Sequence, residues 1–241
     1  MRKLFFLSTL ILVVAAQGCD IEMHDTIKGN GNTTTATRNI SDVSKIKSKG
    51  SFDIEVVLGS APALKIEADE NLMPYILTDN ENGGLNIHTK DDVDLSSNHT
   101  LKITVTVSKL EELELYGNGN GICNSKLTGG DHLKLGVYGN GDITMNVNAP
   151  RVESTIAGNG NITVNGETKD SKIEIDGNGD YKAEGLQAEN AEIHINGSGS
   201  ANVAASVKLD IHIAGSGDVY YKGSPAIEQH IVGSGNIKQV N

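Results

Sequence analysis

The sequence predicts an all-β protein, a parallel, right-handed β-helix or solenoid with coils of about 20 residues. Three observations lead to this fold class. A Gly-Asn-Gly or Gly-Ser-Gly unit occurs seven times after residue 116, at intervals of 22, 19, 19, 20, 18 and 18 residues. Apolar residues precede each unit with a period of two, which is typical of strands. The 28 glycines, with only 4 prolines and no tryptophan, indicate a repetitive chain.

The N-terminus resembles a bacterial secretion signal. Two basic residues precede an apolar stretch from Leu4 to Ala16, which is too short to span a membrane comfortably. The ending Ala15-Ala16-Gln17-Gly18-Cys19 resembles the lipobox of bacterial lipoproteins, in which the cysteine thiol is acylated. We therefore expect residues 1–18 to be a signal peptide and Cys19 to carry lipid. The predicted location is the outer membrane of an exporting bacterium, and the sequence leaves open whether the body is displayed at the cell surface.

The segment between this signal and the repeats has two parts. Residues 19–39 are polar and rich in threonine, without a sustained period, and we expect a flexible tether. Residues 40–110 alternate apolar and polar residues in short runs, which predicts an N-terminal β-rich part. This part is expected to continue into the solenoid or to cap it. Residues 111–241 form the predicted solenoid.

Each repeat reads as a strand with one buried face, followed by a tight corner. Side chains alternate between the two faces of a strand, so positions two and four residues before each unit share a face. The residues two before the unit are Leu115, Val137, Ile156, Ile175, Ile195, Ile213 and Ile231. The repeats have near-identical sequences, which suits parallel coils stacked at about 4.8 Å. Hairpins fit less well, because their successive strands run in opposite directions.

The corner and the outward positions support the same stacking. Glycine reaches positive φ and lets stacked backbones approach, and the Asn or Ser between the glycines can form ladders. The residue after each unit is acidic at every second repeat: Asn120, Asp142, Asn161, Asp180, Ser200, Asp218 and Asn236. An outward column then alternates in sign over Glu112, Lys134, Glu153 and Lys172. Such alternation suits neighbouring strands.

The same column ends in a run of acids beside three histidines. The candidate metal ligands are His194, His212, His230, Glu192, Asp210 and Glu228. Imidazole and carboxylate suit zinc, nickel or copper, and no other cofactor is expected. The alternative is a solvated β face on which histidines relieve repulsion between acids. Calcium is a further alternative, but its shared carboxylate cage is missing because Asn or Ser stands at alternate repeats.

The net charge and the absence of catalytic motifs argue against two classes of function, nucleic-acid binding and catalysis. The formal charge is −11, and removal of the signal leaves 18 basic against 31 acidic residues, a charge of −13. Such a surface repels phosphate backbones, so we expect no nucleic-acid partner. No nucleophile elbow or phosphate loop is present, and no catalytic residue is predicted. Cys123, the second cysteine, is expected to be a small apolar residue.

Several segments together resemble a bacterial family, the head GIN domain of auto-transporter adhesins. They are the lipoprotein start, "GSFDIEVVLG", "LKIEADENLMPYILTDNENGGLNIHTK", "LKITVTVSKLEELELYGNGN" and the Gly-Asn/Ser-Gly units. The resemblance covers residues 40–241. It implies a parallel β-helix-like, exported protein of the kind common in Bacteroidota. It brings no catalytic residues.

The sequence thus predicts a lipid-anchored protein of the cell envelope that acts in adhesion, binding or scaffolding through its stacked outer face. The expected partners are the membrane, through the lipid, and a protein or glycan ligand. Two alternatives stay open, a divalent-metal-binding surface protein and a polysaccharide-acting β-helix enzyme. Such enzymes usually have long loops and a cleft with paired carboxylates or basic residues, whereas these turns are short.

Overall fold

The computed structural model describes residues 25–128 and 130–240, and it confirms the predicted all-β solenoid, with coils of about 19 residues. The predicted signal peptide and Cys19 lie outside the described residues. None of the described segments is a helix long and apolar enough to cross a membrane.

The strands before the repeats are β1 (Asp25–Lys28), β2 (Thr33–Arg38), β3 (Lys45–Lys49), β4 (Asp53–Leu58), β5 (Ala63–Asp69), β6 (Ile76–Glu81), β7 (Gly84–Thr89), β8 (Val93–Ser96) and β9 (Lys102–Val107). A single 3₁₀ turn, Met73–Tyr75, separates β5 from β6. The strands of the repeats are β10 (Glu112–Gly117), β11 (Gly121–Thr128), β12 (His132–Gly139), β13 (Asp142–Gly158), β14 (Asn161–Gly177), β15 (Asp180–Gly197), β16 (Ser200–Gly215), β17 (Asp218–Lys222), β18 (Ala226–Gly233) and β19 (Ile237–Gln239).

Two ladders of parallel strands run along the solenoid. The first ladder contains β3, β10, β12, the C-terminal halves of β13 to β16, and β18. The second contains β4, β11, the N-terminal halves of β13 to β16, β17 and β19. In the first ladder the opening glycine of each unit pairs with that of the next, as Gly139 does with Gly158. The predicted stacking of repeats is therefore confirmed.

The core is the space between the two ladders. The isoleucines two residues before the corner stack from coil to coil, and Ile156, Ile175 and Ile195 are at most 1% exposed. Full burial of one such side chain contributes about 2 kcal/mol. Most coils have apolar residues both two and four positions before the Gly-x-Gly unit, so the same burial is repeated along the rod.

Two departures from the apolar columns compensate each other. Ser154 stands where neighbouring coils have Leu135 and Ile173, and Tyr181 stands between Ile162 and Ala201 in the second ladder. The phenol of Tyr181 is fully buried, which raises its pKa, and the nearby hydroxyls of Ser154 and Ser171 offset part of that effect. The small serines thus leave room for the largest side chain of the core.

The Gly-x-Gly corner is held by two hydrogen-bonded ladders. The amides of Asn118, Asn140, Asn159 and Asn178 bond in series, each amide nitrogen donating to the preceding carbonyl oxygen at 2.8 to 3.0 Å. In the neighbouring column, the backbone N–H and side-chain amide of Asn161 both donate to Asp142, at 2.8 and 2.7 Å. Asn161 and Asn236 thus place side-chain donors beside Asp142 and Asp218, whereas Asp180 accepts the backbone N–H of Ser200 at 3.3 Å.

The N-terminal part both continues the solenoid and closes its end. Strands β3 and β4 form a coil that lies between β10 and β11 on one side and β7 and β9 on the other. Beyond β7 and β9 the pairing turns antiparallel, through β5, β6 and β2. Leu72, just before the 3₁₀ turn, is fully buried. This end of the core is therefore covered.

Residues 25–38 differ from the flexible tether that was predicted over 19–39. They form β1, which pairs with β8, and β2, which pairs antiparallel with β5. The threonines of β2 are β-branched and suit an extended backbone. Because β2 covers the edge of β5 and stays largely exposed, it has no apolar alternation that would reveal it.

Candidate functional site

The outer face of the first ladder carries the candidate residues. We define the acid–histidine strip as two adjacent columns on β15, β16 and β18. One column consists of Glu192, Asp210 and Glu228, and the other of His194, His212 and His230. The parallel register aligns each residue with its counterpart one coil away, so the structure brings all six predicted residues onto one face.

The histidine rings of the strip lie over one another. The ring centroids of His194 and His212 are 4.8 Å apart with an interplanar angle of 4°, a stacked pair. His230 lies 6.1 Å from His212 and is tilted by 47°. Stacked rings point their nitrogen atoms in parallel rather than toward a common point. Among the described residues, no group of three or more His, Cys, Asp or Glu side chains has the arrangement to hold one metal ion.

Each carboxylate of the strip has a cationic or imidazole partner. Glu192 lies 2.9 Å from His194 Nε2 and 3.6 Å from Lys172 Nζ. The hydrogen bond with His194 lowers the pKa of Glu192, against the effect of burial. Lys208 bridges Asp210 and Glu228, at 3.0 and 3.4 Å. The strip is therefore a set of ion pairs with half-exposed polar atoms, open to a ligand along its length.

Asp210 connects the two columns within one coil. Its Oδ2 accepts a hydrogen bond from Lys208, which lowers the carboxyl pKa against the effect of burial. Its Oδ1 lies 3.2 Å from His212 Nε2. Since His212 is also the middle ring of the stack, Asp210 and His212 form the centre of the strip.

A buried carboxylate at the other end of the same face was missed in the sequence. Glu114 is 1% exposed and is bonded by Lys134 at 2.5 Å, Lys47 at 2.9 Å and the hydroxyl of Tyr116 at 2.9 Å. Burial would raise the pKa of Glu114, but these three hydrogen bonds outweigh it and lower the pKa. Gly136 pairs with Glu114 and has no side chain, which leaves the space that the carboxylate cluster occupies. This glycine was the only feature of the sequence that pointed to the cluster.

Glu114→Gln is expected to destabilise the protein by about 1 to 3 kcal/mol at pH 7, because it removes a charged acceptor from a buried cluster. A carboxyl whose pKa is lowered by folding stabilises above its unfolded value, near 4.3, and that contribution is lost as the pH falls through the folded value. Urea unfolding should therefore show a smaller difference at pH 3 than at pH 7. The control is Glu189→Gln at an exposed position, which should change stability by less than about 0.5 kcal/mol at both pH values. Equal effects of the two variants would contradict a stabilising role for the Glu114 cluster.

The tyrosines beside this cluster stack on each other. The rings of Tyr116 and Tyr138 are 4.5 Å apart and 9° from parallel. Burial and the hydrogen bond to Glu114 raise the pKa of Tyr116 to about 12. Each ring covers one face of the other, and the Tyr116 hydroxyl donates to Glu114, so the pair packs beside the buried cluster.

The described surface has several concave regions lined by both polar and apolar side chains. One of them, of about 670 Å³, is at the N-terminal end and includes Asp79, His88 and Asp92. His88 Nε2 lies 2.7 Å from Asp79, and this hydrogen bond raises the histidine pKa against the effect of burial. Cys123 is buried, which raises its pKa, so its thiol is not a poised nucleophile. Nothing in these regions shows catalysis.

Comparison with known proteins agrees with this picture. The model of a family described as "putative auto-transporter adhesin, head GIN domain" matches residues 42–225. No curated protein matches the chain in sequence.

Solved structures of three similar proteins each align over their full length. A "putative lipid binding protein" from Parabacteroides distasonis is 31% identical over 90% of this chain, with a TM-score of 0.75. A "putative adhesin" from Parabacteroides merdae is 27% identical over 90%, with a TM-score of 0.67. Another, from Bacteroides fragilis, is 22% identical over 89% and shares the fold, with a TM-score of 0.83.

Proposed function

Because the chain belongs to the head GIN domain family, whose model spans most of it, we propose that it is a cell-surface adhesin, anchored to the envelope by a lipid on Cys19. The acid–histidine strip is its binding surface for a protein or glycan. The observation that carries this proposal is the register of the strip. The same carboxylate and imidazole groups recur on three consecutive coils.

The shape of the strip favours an extended ligand. Parallel strands lie about 4.8 Å apart, so the polar groups recur at that distance along the rod. A polymer that repeats its own hydrogen-bonding groups can bond several coils at once, and multiple weak contacts add up to a useful affinity. Half-exposed ion pairs such as Lys208 with Asp210 keep the polar groups ordered before the ligand arrives.

Charge favours a neutral or basic ligand. The chain carries a formal charge of −11, which repels anionic polymers. Neutral glycans bond to planar polar side chains such as carboxylates and imidazoles. A basic protein segment would pair with the same carboxylates.

An adhesive role fits the described surface better than the alternatives do. An enzyme acting on polysaccharides would need a cleft with paired carboxylates. The concave region that includes Asp79 and Asp92 is open to solvent, and His88 holds Asp79 at 2.7 Å. One relative is described as lipid binding, but a lipid would need an apolar cavity, and the space between the two ladders is filled by buried side chains. Lipid is therefore assigned to the anchor and not to the core.

The strip can be tested by binding measurements on the full-length protein. We expect Asp210→Asn and His212→Ala to weaken binding on the order of tenfold, in an array of neutral and charged glycans and a panel of extracellular-matrix proteins. The matched control is Asn202→Ala, on the same strand β16 but in the second ladder. Unchanged binding in both strip variants, or equal loss in the control, would contradict the assignment.

Two further measurements separate the alternatives. Release of reducing ends from the bound polysaccharide would indicate an enzyme, and its absence is expected. Calorimetric titration with Zn²⁺ or Ni²⁺ tests the metal-binding alternative, for which His194 and His212 are neighbouring imidazoles. Heat that disappears in His212→Ala would support a metal site, whereas no heat would remove it.

A further inference from the structure

The two ends of the solenoid differ. At the N-terminal end the antiparallel strands and the segment around Leu72 cover the core, and Leu72 and Ile76 are fully buried. At the C-terminal end, Ile227 and Ile231 occupy core positions, since they pair with the buried Leu209 and Ile213. They are nevertheless 43% and 36% exposed. The described chain offers no further coil to cover them.

The last strand of the first ladder is also an open edge. Strand β18 pairs only with β16 in the described structure, and all eight of its residues are exposed. A strand edge with free N–H and C=O groups is a template for another strand. The core side of β18 is therefore apolar, and the backbone N–H and C=O groups on its outer edge have no strand partner in the described structure.

We propose that a second copy of this chain covers this end, with β18 of each copy pairing antiparallel about a two-fold axis at Gln229. In this register, each residue of β18 faces the partner residue that lies equally far from Gln229 in the opposite direction along the strand. Ile227 then faces the partner's Ile231 on the core side, and Ala226 faces the partner's Val232 on the outer face. The apolar residues of the core side thus meet apolar residues, and the core continues from one copy into the other. This inference goes beyond the proposed binding function and does not depend on it.

The polar residues of β18 match in the same register. Glu228 faces the partner's His230, and His230 faces the partner's Glu228, so unlike groups meet on the outer face. Lys208 and His212, on the neighbouring strand β16, lie on that face and already contact Glu228 and His230. At the axis, the two Gln229 side chains can exchange amide hydrogen bonds. Gln229 stands where Ile211 and Ile193 stand in the preceding coils.

A two-fold arrangement is favoured over end-to-end stacking. Stacking of identical rods would place β18 against the N-terminal end of the next copy, where antiparallel strands cover the core. Such an interface also repeats without closing and leads to fibres. The two-fold pair buries both open edges and ends the assembly at two copies.

The axis makes a specific prediction for cross-linking. Only a residue on the axis faces its own counterpart, at an expected Cα separation of about 5 Å, which a disulfide can bridge. Gln229→Cys in the full-length protein should therefore form a disulfide-linked dimer under mild oxidation. Ile227→Cys is the control, since residue 227 would lie about 14 Å from its counterpart. The unmodified chain gives the background. Absence of the Gln229→Cys dimer, or equal linkage by both variants, would overturn the proposal.

Charge changes give an independent test by sedimentation velocity of the full-length protein. His230→Glu places two carboxylates opposite each other at two symmetric positions and should weaken the dimer on the order of tenfold or more. The double variant Glu228→His with His230→Glu exchanges the two residues and should restore it. A monomeric unmodified chain, or a dimer that neither variant alters, would contradict the pairing of β18.

Discussion

Gly160→Ala is expected to destabilise the folded protein by about 3 kcal/mol, one of the largest effects of any single methyl group in this chain. A Cβ at position 160 would lie against the carbonyl oxygen of Gly141 in the preceding coil, well inside van der Waals contact, and 2.6 Å from Cγ1 of Val137. Neither neighbour can move without opening the stacked corner. Urea unfolding followed by circular dichroism measures the loss.

Gly83→Ala separates this clash from ordinary backbone strain. Gly83 has φ of +75° but open space where a Cβ would stand, so its substitution costs only the left-handed conformation, about 1 kcal/mol. If Gly160→Ala destabilised the protein no more than Gly83→Ala does, the close approach of stacked coils would be wrong.

Tyr181→Ala should lower the free energy of unfolding by about 3 to 5 kcal/mol, because it removes a fully buried aromatic side chain and leaves a cavity between the ladders. The informative control is Tyr181→Phe. The hydroxyls of Tyr181, Ser154 and Ser171 are buried without a hydrogen bond of good geometry. Removing the phenol oxygen should therefore be neutral or stabilising by up to about 1 kcal/mol. A Tyr181→Phe variant as unstable as Tyr181→Ala would show that the hydroxyl, and not the ring, matters.

The repeat part of the fold was predictable because each coil has the same sequence pattern, an alternating apolar strand followed by a Gly-x-Gly corner. The period of two fixed the strand faces, and the recurring glycines fixed the corner. Stacked register then followed, including the alignment of Glu192 with Asp210 and of His194 with His212. The exceptions Ser154 and Tyr181 were visible in the sequence, but their mutual compensation depends on contact across the core.

The N-terminal part could not be read in the same way. Strands β3 and β4 are earlier in the chain than β7 and β9, yet they lie between those strands and the first repeat. Alternation predicts that such segments are strands, but it does not predict which strands become neighbours. Strands β1 and β2 were missed because pairing to an existing edge, rather than burial of an apolar face, holds them in place.

The candidate site was predicted in position but not in detail. The sequence placed six side chains on one face, whereas side-chain rotamers decide whether imidazoles converge on an ion or stack, and here His194 and His212 stack. Lys134 likewise was expected to face the acids of its own column. It bonds to Glu114 in the next column, because Gly136 leaves the path open.

The parallel stacking of coils is tested most directly by a nuclear Overhauser measurement between the ring protons of His194 and His212, in protein protonated only at histidine. Their centroids lie 4.8 Å apart, so we predict a cross-peak that disappears in His212→Ala. If the repeats were paired as hairpins instead, the two rings would lie far apart and no such cross-peak would be observed.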